Sequence, residues 1–140
     1  MRTVLLVEGE SSSFWGAIVE GYLRFYAGRL VEIYSWSKDG KAVVHPLVRQ
    51  IMDEDGIDMS VRQAHSWPAG GMKQLDIAIL PDGHTVPSRI RVEKVHRLLP
   101  EHAEVDLEGE DALGQLRHRR EQIKSHLLHF IGKELLSSSV

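Results

Sequence analysis

The chain has 140 residues, a formal net charge of -3 and no cysteine, which suits one compact domain that buries its core without disulfides or metals. The mildly acidic balance gives no basic field for nucleic acid or an anionic membrane, so neither is expected as a partner. The missing cysteines exclude thiolate catalysis, thiol–disulfide relays and thiolate zinc sites outright.

Residues 3–7 form a continuous apolar run, the signature of a strand buried on both faces of a parallel sheet. The run is too short for the apolar core of a signal peptide. Nowhere do about 18 consecutive apolar residues occur, so a cytoplasmic protein is expected. Residues 8–13 then form a loop in which Ser11, Ser12 or Ser13 can cap a helix. From Trp15 the apolar positions Ile18, Val19, Tyr22 and Tyr26 recur at helical spacing, with Glu20 and Arg24 assigned to the opposite face and Gly28 to the C-terminal cap. Residues 30–34 read as a second strand and 37–40 as a turn. A second helix is expected to start at Pro46, bury Leu47, Val48, Ile51 and Met52, and end at Gly56. Trp67 and Pro68 signal a short helix to about Gln74.

A third buried strand is expected over residues 76–80. Between Pro81 and Pro100 the pattern blurs, and residues 90–99 fit either a helix or extended chain. Residues 103–107 are expected as a short fourth strand, and the acidic residues 108–111 suit the first turn of a helix. Leu113, Leu116, Ile123, Leu127, Phe130 and Ile131 mark a long C-terminal amphipathic helix, followed by a frayed tail. The expected organisation is therefore one domain over residues 1–136 with a tail over 137–140. Strands alternating with helices predict an α/β three-layer sandwich around a four-stranded parallel sheet. In such a sheet ligands bind at the carboxyl ends of the strands, here beside the loops after Val7, Leu80 and Leu107.

Several stretches resemble one family. They are Val44-His45-Pro46 through Met52, then Glu54 and Gly56-Ile57-Asp58-Met59-Ser60. Ile33-Tyr34-Ser35, Leu75 through Leu80, Glu101-His102 and Arg120-Glu121-Gln122-Ile123 follow the same order. This pattern is similar to the low-molecular-weight protein tyrosine phosphatases and the thioredoxin-linked arsenate reductases. The resemblance implies their α/β fold and a loop after the first strand that carries a cysteine, five residues and an arginine. It also implies an aspartate after the fourth strand that protonates the leaving group. Aligned from the first strand, Glu8 takes the nucleophile's place and Phe14 the arginine's; aligned from Glu20-Gly21, Gly9 and Trp15 do. Neither register restores a thiol or a guanidinium, and the family's Asp-Pro pair falls near Asp106, where no Asp-Pro occurs. Removal of a hydrolase nucleophile alone costs about a million-fold in turnover. Glu8 and Glu10 would also repel a phosphate dianion by roughly 1 to 4 kcal/mol per close pair.

The candidate residues follow from that loop. Glu8, Glu10 and Asp106 are the weak catalytic candidates, and Gly9, Ser11, Ser12, Ser13, Phe14 and Trp15 are the ligand-binding ones. Glu8 and Glu10 can act as an acid/base or magnesium-binding pair. The plainer reading makes them solvated acids at a helix N-terminus. The serines are capping residues before they are nucleophiles, because no motif places a His–Asp partner beside them. His126 and His129 lack a third ligand at metal spacing, His84 and His102 read as polar loop residues, and no metal or other cofactor is expected. Trp15, Trp36 and Trp67 can line a pocket, although Trp15 fits the core equally well. The chain is thus expected to be a non-catalytic relative that binds or regulates, with an unidentified small molecule or protein as partner. Two alternatives stand beside it. One is carboxylate- or metal-assisted chemistry in the same cleft. The other is a receiver-like phosphoacceptor, in which Asp82 lies one residue beyond the position expected for the acceptor.

Overall fold

The computed structural model describes residues 2–7, 15–36, 44–59, 75–80, 86, 90–97 and 105–136. Four strands, β1 (Arg2–Val7), β2 (Val31–Trp36), β3 (Leu75–Leu80) and β4 (Val92–Arg97), form one sheet in the order β2-β1-β3-β4. Every neighbouring pair is parallel, with Val4 opposite both Ile33 and Ile77, and Ile77 opposite Lys94. The α-helices among the described residues are α1 (Trp15–Ala27), α2 (Pro46–Glu54) and α3 (Ala112–Phe130). The last runs on without a break into a wider, π-type turn over Ile131–Leu136. This is the expected α/β architecture.

The central strands carry the apolar runs because both of their faces are covered. Val4 and Leu6 of β1 join Ile77 and Ile79 of β3 in the larger core, packed against Ile18, Ile51, Leu116 and Ile123 of the helices. Leu5 and Val7 of β1 and Ala78 and Leu80 of β3 alternate with these into a second cluster, which also takes in Leu75 and Ile90. The alternation of side chains along each strand divides one run between two cores. A further clip joins β1 to β3, where Asp76 accepts from the Thr3 backbone N–H at 2.7 Å and the Asp76 N–H reaches the Thr3 hydroxyl at 3.0 Å.

The helix boundaries have local causes. Pro46 opens α2 with its φ already set, and His45 caps it through Nδ1, which accepts from the Leu47 N–H at 3.1 Å. Gly56 ends it in the left-handed region at φ 75°, a conformation that favours glycine, while the Ile57 N–H returns to the Met52 carbonyl. Val48, Ile51 and Met52 are buried as expected and Leu47 is half-buried.

Four expectations are corrected. The fourth strand is residues 92–97, whereas Val105 and Asp106 are irregular and Leu107 begins a turn. Edge strand β4 is exposed at Glu93, Lys94, Val95 and Arg97, so it carries none of the alternation that marks a half-buried strand. The acidic residues 108–111 precede α3 rather than forming its first turn. Glu20, expected on the solvent face of α1, is 1% exposed, while Tyr26, expected inside, is 39% exposed. The predicted turn at 37–40, the short helix from Trp67 and the tail at 137–140 lie outside the described residues.

Candidate functional site

Because all four strands are parallel, their carboxyl ends share one edge of the sheet, and the chain leaves that edge after Val7, Trp36, Leu80 and Arg97. The strand order reverses direction between β1 and β3, which is where an open parallel sheet offers a crevice for a ligand. The connection after β1 holds Glu8, Gly9, Glu10, Ser11, Ser12, Ser13 and Phe14, all outside the described residues, as are His84 and His102. Trp15, the first residue of α1, is 2% exposed and belongs to the main core. Trp36, the last residue of β2, is half-buried beside the second cluster.

Asp106 lies on the connection between β4 and α3 and so leaves the same edge as the β1 loop, although not from the strand end expected at Leu107. It is exposed, and its carboxylate accepts from the Glu108 N–H at 3.1 Å while its carbonyl accepts from Gly109. The side chain thereby shapes the turn into α3. His126 and His129 are exposed on α3. No group of three histidine or acidic side chains is positioned to hold a metal among the described residues.

Among the described residues, the groups with the most displaced protonation lie around the end of α2. At the C-terminal end of α2, hydrogen bonds from Arg117 and Arg120 hold the Glu54 carboxyl down to about 2. The buried Tyr22 hydroxyl donates to Asp55 at 2.6 Å. Burial and that carboxylate push Tyr22 far up, while the same bond and Lys124 hold Asp55 low. Lys124 completes the group at 3.1 Å from Asp55 and 5.6 Å above the Tyr22 ring. Such displacement often marks a reactive site. Here it marks a joint, since the cluster ties α1, α2 and α3 together.

The fold is that of the low-molecular-weight phosphatases and arsenate reductases, an all-parallel four-stranded sheet with, among the described residues, three α-helices. A solved arsenate reductase in its reduced state matches with a TM-score of 0.70 and 22% identity, covering 95% of this chain and 98% of that one. The YwlE mutant from Bacillus subtilis matches with the same TM-score and coverage at 15% identity. The thioredoxin-dependent arsenate reductase of Corynebacterium glutamicum matches at 0.65 and 21% identity, covering 98% of this chain and 63% of its own. No protein-family model and no curated protein matches the chain. No helix among the described residues is long and apolar enough to cross a membrane.

Proposed function

We propose that the protein is a non-catalytic relative of the low-molecular-weight phosphatases and arsenate reductases, kept as a binding or regulatory module. The observation that carries this reading is a scaffold shared with solved arsenate reductases in a chain that has no cysteine. Thiolate attack on phosphorus or arsenic is chemically closed to it. The loop after β1 then serves as a recognition surface, with Gly9, Ser11, Ser12, Ser13 and Phe14 as its contact residues and Glu8 and Glu10 setting its charge. A neutral or cationic ligand suits this loop better than an oxyanion, because two carboxylates flank the place where the family binds a dianion.

The test is a pair of turnover assays on highly purified protein. One uses an aryl phosphate, and the other uses arsenate with thioredoxin, thioredoxin reductase and NADPH. The expected result is no turnover above buffer in either. Turnover that follows the protein through successive columns and disappears in E8Q or E10Q would overturn the non-catalytic reading.

A further inference from the structure

Between α1 and the segment at 56–59 lies a cavity of about 300 Å³, at the small end of the range of ligand pockets. Phe25, Ile57 and Met59 supply its apolar walls, and Glu20, Arg24 and Asp58 its charges. These α1 residues stand roughly 8 to 15 Å along the helix from Trp15, its first residue.

The two members of the ion pair in this cavity are unequal. Glu20 Oε1 accepts from the Ser35 hydroxyl at 2.9 Å and Oε2 accepts from Arg24 Nε at 3.0 Å. The Glu20 side chain is 2% exposed, whereas that of Arg24 is 51% exposed. Taking a carboxylate out of water is costly unless a cation and hydrogen bonds accompany it. The anion is therefore fixed by β2 and the core, whereas the half-exposed Arg24 can turn out to water once another cation takes its place on Glu20. Asp58, exposed beside it, adds a second negative charge to the same cavity. Phe25, 60% exposed, offers a ring against which a cation can rest.

We propose that this cavity binds an organic cation, a guanidinium or ammonium group on a short apolar stem, which replaces the Arg24 guanidinium against Glu20 and lays its stem along Phe25, Ile57 and Met59. Arg24 is then the resident plug that an entering cation displaces. An uncharged molecule of the same shape gains the apolar contact but not the carboxylate.

The experiment is an amide NMR titration of the full chain with n-butylguanidinium, with n-butylurea as the uncharged isostere. Saturable shifts should centre on residues 20–25 and 56–59, with the cation at least about fivefold tighter than the urea. R24A should bind the cation several-fold more tightly, because the competing guanidinium is gone. F25A, a change at an exposed wall position, should bind it several-fold more weakly. Absence of saturable shifts in the wild-type protein would overturn the proposal, as would equal affinity for n-butylurea. Binding to R24A alone would also overturn it, since Arg24 would then be a fixed structural partner. Should R24A fail to fold, the wild-type discrimination and F25A decide the matter.

Discussion

Gly21 and Gly114 both sit where a Cβ would collide with a neighbour, and the neighbour decides the sign of a substitution. At Gly21 an added Cβ would lie 2.7 Å from Met52 Cε, 2.9 Å from Met59 Sδ and 3.1 Å from Ile57 Cγ2. Both methionines can flex, but Ile57 is buried behind the Gly56 turn and has little room to move. Overpacking of this kind costs about 1–3 kcal/mol and outweighs the roughly 0.5–1 kcal/mol that alanine gains over glycine inside a helix. G21A is expected to lose about 1 kcal/mol net, read from the urea midpoint. At Gly114 the obstacle is Asp111 Oδ1 at 2.5 Å. Asp111 is exposed and makes no side-chain capping bond, so it can rotate away. G114A should therefore stabilise the protein by roughly 0.5–1 kcal/mol through helix propensity, the opposite sign in the same assay.

At the scale of elements, Arg120 shows how α3 is held against α2. Its Nη1 donates to the Ile51 carbonyl of α2 at 2.8 Å and to Glu54 at 2.7 Å, and its Nε donates to Glu121 at 2.8 Å. The side chain is only 12% exposed, against 46% for Arg117, which also pairs with Glu54. R120A should cost about 1–3 kcal/mol by taking the side-chain donor from the carbonyl of the buried Ile51 and removing the packed stem of a largely buried arginine. R120K should recover only part of that, because an ammonium lacks the fork. R117A should leave the midpoint nearly unchanged, as an exposed pair does. Equal effects of R117A and R120A would show that charge rather than buried hydrogen bonding carries the joint. Arg120 belongs to one of the stretches that carried the family resemblance in the sequence, and its role explains why that stretch was legible. The core of β1 and β3 was legible for the same reason, since burial on both faces leaves a continuous apolar run. Edge strand β4 was not, because one hydrogen-bonded neighbour suffices to hold it and its exposed residues carry no period. The alternating Ala103-Glu104-Val105-Asp106-Leu107 mimicked a strand instead, and its described part is the approach to α3. Glu20 was misplaced because periodicity cannot foresee that a serine on another element, Ser35, and an arginine one turn away make a buried carboxylate tolerable. The connection after β1 was placed at the carboxyl edge by pattern alone, as the topology now requires.

For the whole molecule, acid is the condition under which these joints fail together. Hydrogen bonds to arginine hold Glu54 down to about 2 from an ordinary 4.5, and Asp55 and Glu134 are held low by Tyr22 and by Lys94. A carboxyl with a depressed folded pKa takes up its proton more readily in the unfolded chain. Its stabilisation is complete above the unfolded value and is lost as the pH falls through the folded one. His96 acts in the same direction higher up the scale. It packs against the Phe130 ring at 4.5 Å, and burial pushes its imidazole below the usual 6.5. The unfolded chain therefore binds the His96 proton first as the pH drops below about 6.5. The urea midpoint should hold steady near neutral pH, decline modestly below about 6.5, and fall steeply between about 4.5 and 2. H96F should remove the upper decline and keep the lower one. E54Q should lower the plateau and flatten the steep limb, because its side chain no longer titrates and pairs less well with Arg117 and Arg120. The same steep limb in E54Q as in the wild type would show that the α2 joint does not govern acid unfolding. Lys94 and Glu134, paired at 2.6 Å between β4 and the wide turn, would then be the next place to look, since Arg2 of β1 also donates to the Glu134 carbonyl and ties that turn to the sheet.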